Sequence, residues 1–562
     1  MGDQVLAFTK DKNVITEDSM KSRRNFLQYS GLASVGAFSG RQFAVRAQEA
    51  DAGGREAATR SFELEEATIA GLQQAMGTGA LTARSIAEKY LARIQDVDKR
   101  GPAINSVIEL NPDALAIAEA LDRERKAKGT RGPLHGIPIL IKDNIDTADR
   151  MTTTAGSLAL AGSTPRRDAF VAQKLRAAGA VILGKTNLSE WANFRSTKST
   201  SGWSGRGGQT RNPYALDRNP CGSSSGSGAA AAANLCLAAI GTETDGSVVC
   251  PSSASSLVGI KPTLGLVSRS GIIPIAHSQD TAGPMARTVT DAVILLGALA
   301  GADPRDGITR EGGRQVHNDY ARFLDPKGLQ GARIGVARKF FGFSEKVDRL
   351  MGTAIEAMKA QGAVLIDPAD IATMGKFDDS EFEVQLYEFK ADLNAYFASL
   401  GPTAPVHSLK ELIEFNERNR EKEMPYFGQD ILIKAQAKGP LTSGDYRKAL
   451  ARNHRLSRTE GIDAVMLKHR LDAMIAPTGG PPWPTDLING DHFTGGFSTP
   501  AAVAGYPHIT VPAGYVHGLP VGISFFARAY SEPTLIKLAY AFEQATRVRR
   551  PPQFMATADL KS

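Results

Sequence analysis

The sequence predicts an α/β fold built on a largely parallel sheet. Short apolar runs at residues 137–141 and 181–183 are typical of strands buried on both faces. A helix is predicted between them over residues 168–178. Strand–helix–strand alternation of this kind favours parallel pairing, because the helix carries the chain back to the start of the next strand.

The segment before these strands predicts an export signal over residues 1–47. Arg23 and Arg24 form a twin-arginine pattern, a weakly apolar stretch follows at 31–38, and residues 45–47 offer a small-residue cleavage site. The alternative is a disordered basic tail. We expect a periplasmic or secreted protein exported by the twin-arginine route, with no stable membrane anchor once the signal is removed.

Residues 48–60 are polar and rich in glycine and alanine, which predicts a linker. Residues 61–562 contain no internal repeat and no apolar run long enough to span a bilayer, so we predict one large domain. Thr68 and Thr82 are the predicted caps of two amphipathic helices at its start. Further strands are predicted at 257–267, 272–275, 332–336, 473–477, 508–512 and 521–526, and further helices at 111–128, 290–299, 345–361 and 533–546.

Residues 367–458 differ in composition from the rest of this domain. They are charged, rich in aromatic residues and mainly helical in pattern. We therefore predict a helical insertion that shapes a substrate site.

The most unusual stretch is 222–228, which contains only glycine and serine. Such a composition is typical of a flexible linker, but the apolar run 229–240 that follows predicts a buried helix instead. Glycines before a helix allow backbone N–H groups to approach a ligand closely. A phosphate-binding loop is excluded because no lysine follows these glycines.

Ser247 follows Asp245 and Gly246 in a sequence that predicts a tight, exposed turn. A nucleophile needs such a turn, with nearby N–H groups to hold an oxyanion. Lys142 ends the first buried strand, where a charged residue is commonly only a boundary. If it is buried, its pKa falls by up to ~3–5 units and it becomes a candidate base.

The bulk composition excludes several classes of function. A net charge of +7 over 562 residues is modest, so we expect no nucleic-acid partner. The nine histidines form no His-Glu-x-x-His pattern and the three cysteines have no zinc spacing, so we expect no metal. We expect Cys221, Cys236 and Cys250 to be buried thiols, with a Cys221–Cys250 bridge as the alternative.

Together these motifs resemble the amidase signature family. The resemblance covers roughly residues 61–548, and residues 190–195 and 203–209 are most similar to bacterial peptide amidases. The motifs in chain order are His-Gly-Ile-Pro at 135–138, Lys-Asp-Asn at 142–144, Gly-Lys-Thr-Asn at 184–187, Thr-Arg-Asn-Pro at 210–213, the glycine–serine stretch at 222–228, Gly-Thr-Glu-Thr-Asp-Gly-Ser at 241–247, Gly-Ile-Lys-Pro at 259–262 and Gln-Asp-Thr-Ala-Gly-Pro-Met at 279–285.

The resemblance implies the amidase signature fold and its chemistry. That fold has a large mixed, mostly parallel central sheet with helices on both faces. A Ser–Ser–Lys arrangement would make Ser247 the nucleophile, Ser223 the bridging serine and Lys142 the base, with a cis peptide bond between Gly222 and Ser223. No cofactor is implied. The oxyanion candidates are the backbone N–H groups of Thr244, Asp245, Gly246 and Ser247.

The expected activity is hydrolysis of carboxamides through an acyl-enzyme on Ser247, with a peptide amide or another small amide as substrate. Trp191, Phe194 and Trp203 are candidates for the acyl pocket, with core packing as the alternative for each. Competing interpretations are the glutaminase subunit of a tRNA-dependent amidotransferase, an inactive relative that binds amides or peptides, and a histidine-dependent hydrolase with Ser224 as nucleophile. We expect a monomer or a homodimer.

Overall fold

A single eleven-stranded sheet organises the computed structural model, which describes residues 62–317 and 319–560. These residues belong to one compact unit, Ala58–Ser562. The predicted signal region 1–47 and linker 48–60 lie outside the described residues. No helix in the described ranges is long and apolar enough to cross a membrane.

The strands are numbered in chain order, and two short ones form a separate ladder. Across the large sheet the order is β1-β3-β2-β6-β8-β7-β12-β13-β11-β9-β10, while β4 pairs with β5. Their bounds are β1 Val107–Leu110, β2 Pro138–Lys142, β3 Val181–Thr186, β4 Trp203–Ser204, β5 Gly208–Gln209, β6 Ala238–Glu243, β7 Val258–Lys261, β8 Thr281–Ala286, β9 Arg333–Val336, β10 Val364–Ile366, β11 Ala473–Pro477, β12 His508–Val516 and β13 Leu519–Phe526.

The predicted large mixed sheet with helices packed around it is confirmed. Its parallel pairs form two blocks, β3-β2-β6 and β11-β9-β10, and the strands between these blocks pair antiparallel. Parallel pairing is thus less extensive than the sequence suggested. One reason is visible between β12 and β13, where His517 and Gly518 make a two-residue hairpin turn with positive φ, a connection that only antiparallel strands accept.

Seventeen α-helices lie in the described ranges. Five of them, α10 to α14, form most of the segment predicted as a helical insertion. The helices are α1 Ile69–Gly77, α2 Ala83–Arg93, α3 Ala114–Lys128, α4 Phe170–Ala177, α5 Ser225–Ala232, α6 Val249–Ala254, α7 Val289–Leu299, α8 Thr309–Gly312, α9 Glu345–Ala360, α10 Asp378–Leu400, α11 Leu409–Arg418, α12 Arg420–Glu423, α13 Asp430–Gln436, α14 Gly444–His454, α15 Asp463–His469, α16 Thr499–Ala504 and α17 Glu532–Thr546.

The glycine–serine stretch leads into α5, a helix whose eight residues are all buried. The close packing requires glycine, because a Cβ at Gly226 would lie 2.3 Å from the carbonyl oxygen of Ser106. The predicted helix over 229–240 is wrong in its second half, where residues 238–240 belong to β6. A continuous apolar run does not distinguish a buried helix from a buried strand.

The site is assembled where neighbouring strands end. β2 and β6 are adjacent and parallel, with Ile141 paired to Ile240. Their carboxyl ends therefore meet at one edge of the sheet, which brings Lys142 beside Thr242. This edge is the usual position for ligand sites in open α/β sheets.

Candidate functional site

Lys142 lies at the centre of a buried hydrogen-bond network. Its side chain is fully buried, and its Nζ is 2.7 Å from Ser223 Oγ. The same nitrogen is 3.0 Å from Thr242 Oγ1 and 3.3 Å from the Thr242 carbonyl oxygen. Asn144 Nδ2 donates to Thr242 Oγ1 at 2.9 Å and so fixes that hydroxyl.

Burial lowers the pKa of Lys142 from 10.5 to about 7, although the negative charges of Asp280 and Glu243 oppose the shift. A neutral amine has two N–H donors and one lone pair. Its three neighbours match that inventory, since the two Thr242 oxygens accept hydrogen bonds and the Ser223 hydroxyl can donate one. The network therefore suits a lysine that accepts a proton.

Ser223 is held by the backbone geometry on both sides of it. The Gly222–Ser223 peptide bond is cis, as the resemblance implied. The carbonyl oxygen of Ser223 accepts a hydrogen bond from Ser189 N at 3.1 Å. Only 1% of Ser223 is exposed, so its hydroxyl faces the interior of the site.

The neighbouring serines have structural partners. Ser224 Oγ donates to the Thr242 carbonyl at 3.1 Å and accepts from Thr242 N at 3.2 Å, while Ser225 Oγ donates to the Cys221 carbonyl at 2.6 Å. No histidine in the described part of the chain is hydrogen-bonded to Ser224. The geometry therefore does not support a histidine-activated nucleophile at Ser224.

Ser247 occupies a tight turn between β6 and α6. Gly246 has a φ of +78°, a conformation that favours glycine. Glu243 Oε2 accepts hydrogen bonds from Val248 N at 2.7 Å and Val249 N at 3.0 Å, which fixes the chain just after the serine. Ser247 is 8% exposed and lines a cavity that Ser223 also lines.

The backbone N–H groups predicted to hold an oxyanion lie in this turn. None of the N–H groups of residues 244–247 donates a hydrogen bond within the described ranges. They are therefore available to a ligand oxygen. Thr244 Oγ1 donates to Asp280 Oδ1 at 2.5 Å, which anchors the start of the turn.

Two cavities meet at Ser223. The serine chamber, with a volume of about 300 Å³, includes Gly222, Ser223, Ser247, Phe194, Glu381 and Phe382 in its wall. The isoleucine chamber, with a volume of about 340 Å³, includes Asn144, Ser223, Ile272, Ile273, Ile275 and Ala395. Ala192, Ser223, Thr244 and Ile275 belong to both walls, whereas Ser247 belongs to the serine chamber alone.

Of the three aromatic residues predicted to bind substrate, Phe194 lines the serine chamber. Trp191 and Trp203 are 2% and 5% exposed and belong to neither wall, which agrees with the alternative of core packing. Trp191 packs edge-on against Phe397 of α10, with ring centroids 6.2 Å apart. Trp203 packs against Phe427 of the insertion at 5.1 Å, so both indoles hold the insertion on the core.

A buried arginine strengthens this contact between core and insertion. Arg195 is fully buried, and its Nη1 donates to Glu190 Oε1 at 2.6 Å and to the carbonyl oxygen of Glu423. Its guanidinium lies 4.2 Å from the Phe427 ring centroid. Burial raises the pKa of Glu190 to about 8. The insertion is thereby fixed beside Phe194, and it completes the serine chamber.

Two carboxyl groups of the serine chamber are close together. Burial raises the pKa of Asp245, and Thr499 Oγ1 donates to its Oδ2 at 2.7 Å. Burial, together with the charge of Asp245, raises the pKa of Glu381 well above its usual value. Gln279 Nε2 donates to Glu381 Oε1 at 2.8 Å. The charge of Asp245 therefore favours the protonated form of Glu381.

One cluster in the described ranges has donor atoms close enough together to hold a metal ion. His277, Glu388 and Asp392 place one such atom each within 4.8 Å of the others. These groups already have hydrogen-bond partners. His277 Nδ1 is 2.8 Å from Asp392 Oδ2, and Tyr446 donates to Glu388 at 2.7 Å. The sequence-based expectation of no metal remains a prediction.

The structure corrects the cysteine prediction. Cys221 and Cys250 form a disulfide, and only Cys236 is a buried free thiol among the described residues. The two partners meet because the turns before Ser223 and after Ser247 are joined across the site, where Ser224 N donates to the Ser247 carbonyl at 3.2 Å. The spacing of 29 residues along the chain could not reveal this contact.

Several residues of the site were not singled out from the sequence. Thr242, Asn144 and Glu243 lie inside motifs already recognised, so their motif membership was a usable signal. Glu381 and Phe382 come from α10, in a segment that carries no motif. Only the folded structure brings them to the serine chamber.

A family model and a relative each match most of this chain. A family model described as Amidase matches residues 85–536. A probable amidase of Arabidopsis thaliana is 43% identical over 505 residues, covering 88% of this chain and 93% of the plant protein.

A solved structure and a more distant relative also match most of the chain. The structure of the peptide amidase of Stenotrophomonas maltophilia is 51% identical, with a TM-score of 0.84, covering 88% of this chain and 100% of that one. A glutamyl-tRNA(Gln) amidotransferase subunit of Pseudomonas aeruginosa is 33% identical over 517 residues, covering 87% of this chain and 100% of the bacterial relative.

Proposed function

The chain belongs to the amidase family and is a serine amidohydrolase of carboxamide C–N bonds, and we propose that it cleaves peptide amides through a relay of Ser247, Ser223 and Lys142. One observation carries the proposal. Lys142 Nζ, depressed in pKa to about 7, lies 2.7 Å from Ser223 Oγ in the wall of the chamber that contains Ser247. The bridge and the nucleophile thus line one cavity, and the base is hydrogen-bonded to the bridge.

Acylation begins when Ser247 Oγ attacks the amide carbon. The serine proton passes to Ser223 Oγ, while the proton of Ser223 passes to the neutral amine of Lys142. The C–N bond then breaks, and the leaving nitrogen takes a proton from Ser223, which is resupplied by Lys142. Water attacks the ester by the same relay, and this releases the acid and restores Ser247.

The oxyanion of each tetrahedral intermediate needs fixed donors. The N–H groups of Thr244, Asp245, Gly246 and Ser247 are the candidates, because they lie in the turn at Gly246 without partners in the described ranges and Glu243 holds the residues that follow. Loss of one such donor typically costs ~2.7–4 kcal/mol of transition-state stabilisation.

The serine chamber supports a peptide amide as the substrate. Its volume of about 300 Å³ suits a small acyl residue, and the Phe194 and Phe382 rings, with centroids 6.1 Å apart, offer an apolar surface. Asp245, Asp378 and Glu381 add carboxyl groups to the same wall. Carboxyl oxygens in this wall disfavour a substrate that carries a free carboxylate and are compatible with a neutral carboxamide.

The resemblance to a peptide amidase at higher identity favours this substrate over the glutamine of an amidotransferase. The direct test is hydrolysis of a panel containing an N-acylated dipeptide amide, L-glutamine, an aryl amide and a fatty amide. The peptide amide should have the highest kcat/KM. Preferential hydrolysis of glutamine would overturn the substrate assignment.

Covalent labelling tests the enzyme itself. A fluorophosphonate probe should label the parent protein at Ser247 and should fail to label Ser247→Ala, while Ser225→Ala, whose hydroxyl bonds the Cys221 carbonyl, should still be labelled. Equal labelling of Ser247→Ala and the parent would place the nucleophile elsewhere. Absence of labelling in the parent would favour a protein that only binds amides.

We also propose export by the twin-arginine route, on the strength of Arg23 and Arg24. The disulfide between Cys221 and Cys250 supports an oxidising compartment, since such bonds are rare in a reducing cytosol. Replacing both arginines by lysine should retain the protein in the cytoplasm with its activity intact. Unchanged export of the double variant would refute the proposal.

A further inference from the structure

The isoleucine chamber is larger than hydrolysis of a primary amide requires. Its volume is about 340 Å³, within the range of small-molecule sites. Ammonia, the leaving group of a primary amide, is about the size of a water molecule, which occupies ~30 Å³ in the liquid. The extra space lies directly beside the reacting groups.

The two chambers differ in which residues of the relay line them. Ser247, to which the acyl group becomes attached, lines only the serine chamber, whereas Ser223 lines both. The leaving nitrogen must approach Ser223, because that hydroxyl delivers its proton. A substituent on the nitrogen therefore extends from Ser223 into the isoleucine chamber, away from the acyl group.

The isoleucine chamber reaches solvent at residues that do not line the serine chamber. His277 and Arg305 line it, and their side chains are 41% and 34% exposed. Ala395, on α10, is an exposed residue of the same wall. An amine released at Ser223 could therefore leave without passing the acyl group that remains on Ser247.

Part of the chamber's buried wall is apolar, while Asn144, Thr242, Glu243, Asp280 and Thr281 form the buried polar part. Ile272, Ile273 and Ile275 are all at least nine-tenths buried, and with Pro274 they form one continuous stretch of the wall. Such a surface favours an uncharged hydrocarbon substituent.

The charged side chains of the outer part of the chamber form pairs with one another or with neighbours. Arg269 Nε donates to Asp306 Oδ2 at 2.9 Å, and His277 Nδ1 lies 2.8 Å from Asp392 Oδ2. Arg305 Nε lies 3.2 Å from Asp303 Oδ1. Paired charges offer little to an ionic substituent, so the chamber suits a neutral group.

From this geometry we propose that the isoleucine chamber is a binding site for the leaving amine, and that the protein hydrolyses secondary carboxamides whose nitrogen carries a small, neutral, apolar substituent. The inference rests on the proposed function of Ser247 and Ser223. The reaction balances in the same way as for a primary amide: the C–N bond breaks, water supplies hydroxide to the acyl carbon, and the nitrogen keeps its substituent and gains one proton to leave as a primary amine.

The test compares two substrates that share one acyl group, an N-acylated dipeptide amide and its N-isobutyl amide. The parent protein should hydrolyse the N-isobutyl amide with a kcat/KM within about tenfold of that for the primary amide, because the isobutyl group is accommodated in an apolar cavity. Liberated isobutylamine and ammonia are measured directly.

Two variants of α10 test whether the isoleucine chamber binds the substituent on the nitrogen. Ala395→Trp fills part of the isoleucine chamber, whereas Ala398→Trp changes an exposed residue of α10 that belongs to neither chamber. Ala395→Trp should lower kcat/KM at least about tenfold for the N-isobutyl amide and by less than about twofold for the primary amide. Ala398→Trp should change neither value, and both variants should unfold at the temperature of the parent.

The outcomes distinguish a failure of the leaving-amine site from a failure of the proposed peptide-amide function. Hydrolysis of the primary amide without detectable hydrolysis of the N-isobutyl amide would overturn the leaving-amine site and leave the proposed function intact. An equal loss on both substrates in Ala395→Trp would also overturn it, since the chamber would then serve a step common to both, such as water entry. Failure of the parent to cleave either substrate would refute the proposed peptide-amide function and this inference with it.

Discussion

Acidification should switch off acylation by protonating Lys142. The pKa of this buried lysine falls from 10.5 to about 7, which corresponds to about 5 kcal/mol against its charged form. Only the neutral amine accepts a proton from Ser223. Therefore kcat/KM should rise with pH through about 7, and one pH unit below the midpoint it should be about a tenth of its plateau.

A single substitution should move this midpoint in a known direction. Asp280 acts on Lys142 through its negative charge and raises the lysine pKa, against the larger effect of burial. Burial raises the pKa of Asp280 itself to about 6, so the carboxylate is ionised at the midpoint. Asp280→Asn removes that charge and keeps the shape, so the lysine pKa should fall and the acid limb should shift to lower pH.

The assay is kcat/KM for a peptide amide across the pH range, with Asp392→Asn as the matched control. Asp392 also lines the isoleucine chamber, while the charges that act on Lys142 are those of Asp280 and Glu243. The control should keep the midpoint of the parent. A shift of the Asp280→Asn limb to higher pH, or an acid limb absent from the parent, would refute a neutral lysine base.

Three further predictions concern the disulfide, the turn at Ser247 and metals. Replacing both Cys221 and Cys250 by serine should lower the free energy of unfolding by about 3–4 kcal/mol, measured by denaturant titration, because the bridge closes a loop of 29 residues; unchanged stability would contradict this. Gly246→Ala should lower both kcat and the free energy of unfolding. Gly518→Ala, at a similar positive φ in the β12–β13 turn, should lower the free energy of unfolding alone. Equal kcat values in the two variants would show that the turn at Gly246 does not hold reacting groups. Treatment with EDTA should leave turnover unchanged, and a loss that a divalent ion restores would show that the mechanism needs a metal.

The sequence was most informative where chemistry is local. Lys142, Ser223 and Ser247 stand in recognisable motifs, and their burial and turns could be expected from the apolar run and the glycines around them. The structure brings Lys142 beside Thr242 because parallel neighbours β2 and β6 end at one edge of the sheet. Thr242 also binds the hydroxyl of Ser224, which places the adjacent Ser223 within hydrogen-bonding distance of Lys142. The β12–β13 hairpin was harder to anticipate, since two apolar strands do not disclose their relative direction.

The substrate side of the site could not be predicted to the same extent. The sequence leaves Trp191 and Trp203 as candidates for either the pocket or the core, and their rings pack against Phe397 and Phe427 of the insertion. Glu381 reaches the serine chamber only because the insertion folds over the core. Contacts between segments far apart in the chain leave no periodic or motif signal in either segment, and the Cys221–Cys250 bridge illustrates the same limit.

The central claim is that Ser247, Ser223 and Lys142 act as one unit. Single-turnover acylation tests it most directly, with the parent compared with Ser247→Ala, Lys142→Ala, Ser223→Ala and the Lys142→Ala/Ser223→Ala double variant. Lys142→Ala should slow acylation by about 10²–10⁴-fold through loss of the base. Ser223→Ala should cost less than Ser247→Ala, because water partly replaces a bridging hydroxyl. The double variant should be little slower than Lys142→Ala alone, since a bridge to a missing base carries no proton. Acylation near the parent rate in Lys142→Ala, or a double-variant loss equal to the product of the two single losses, would contradict the relay.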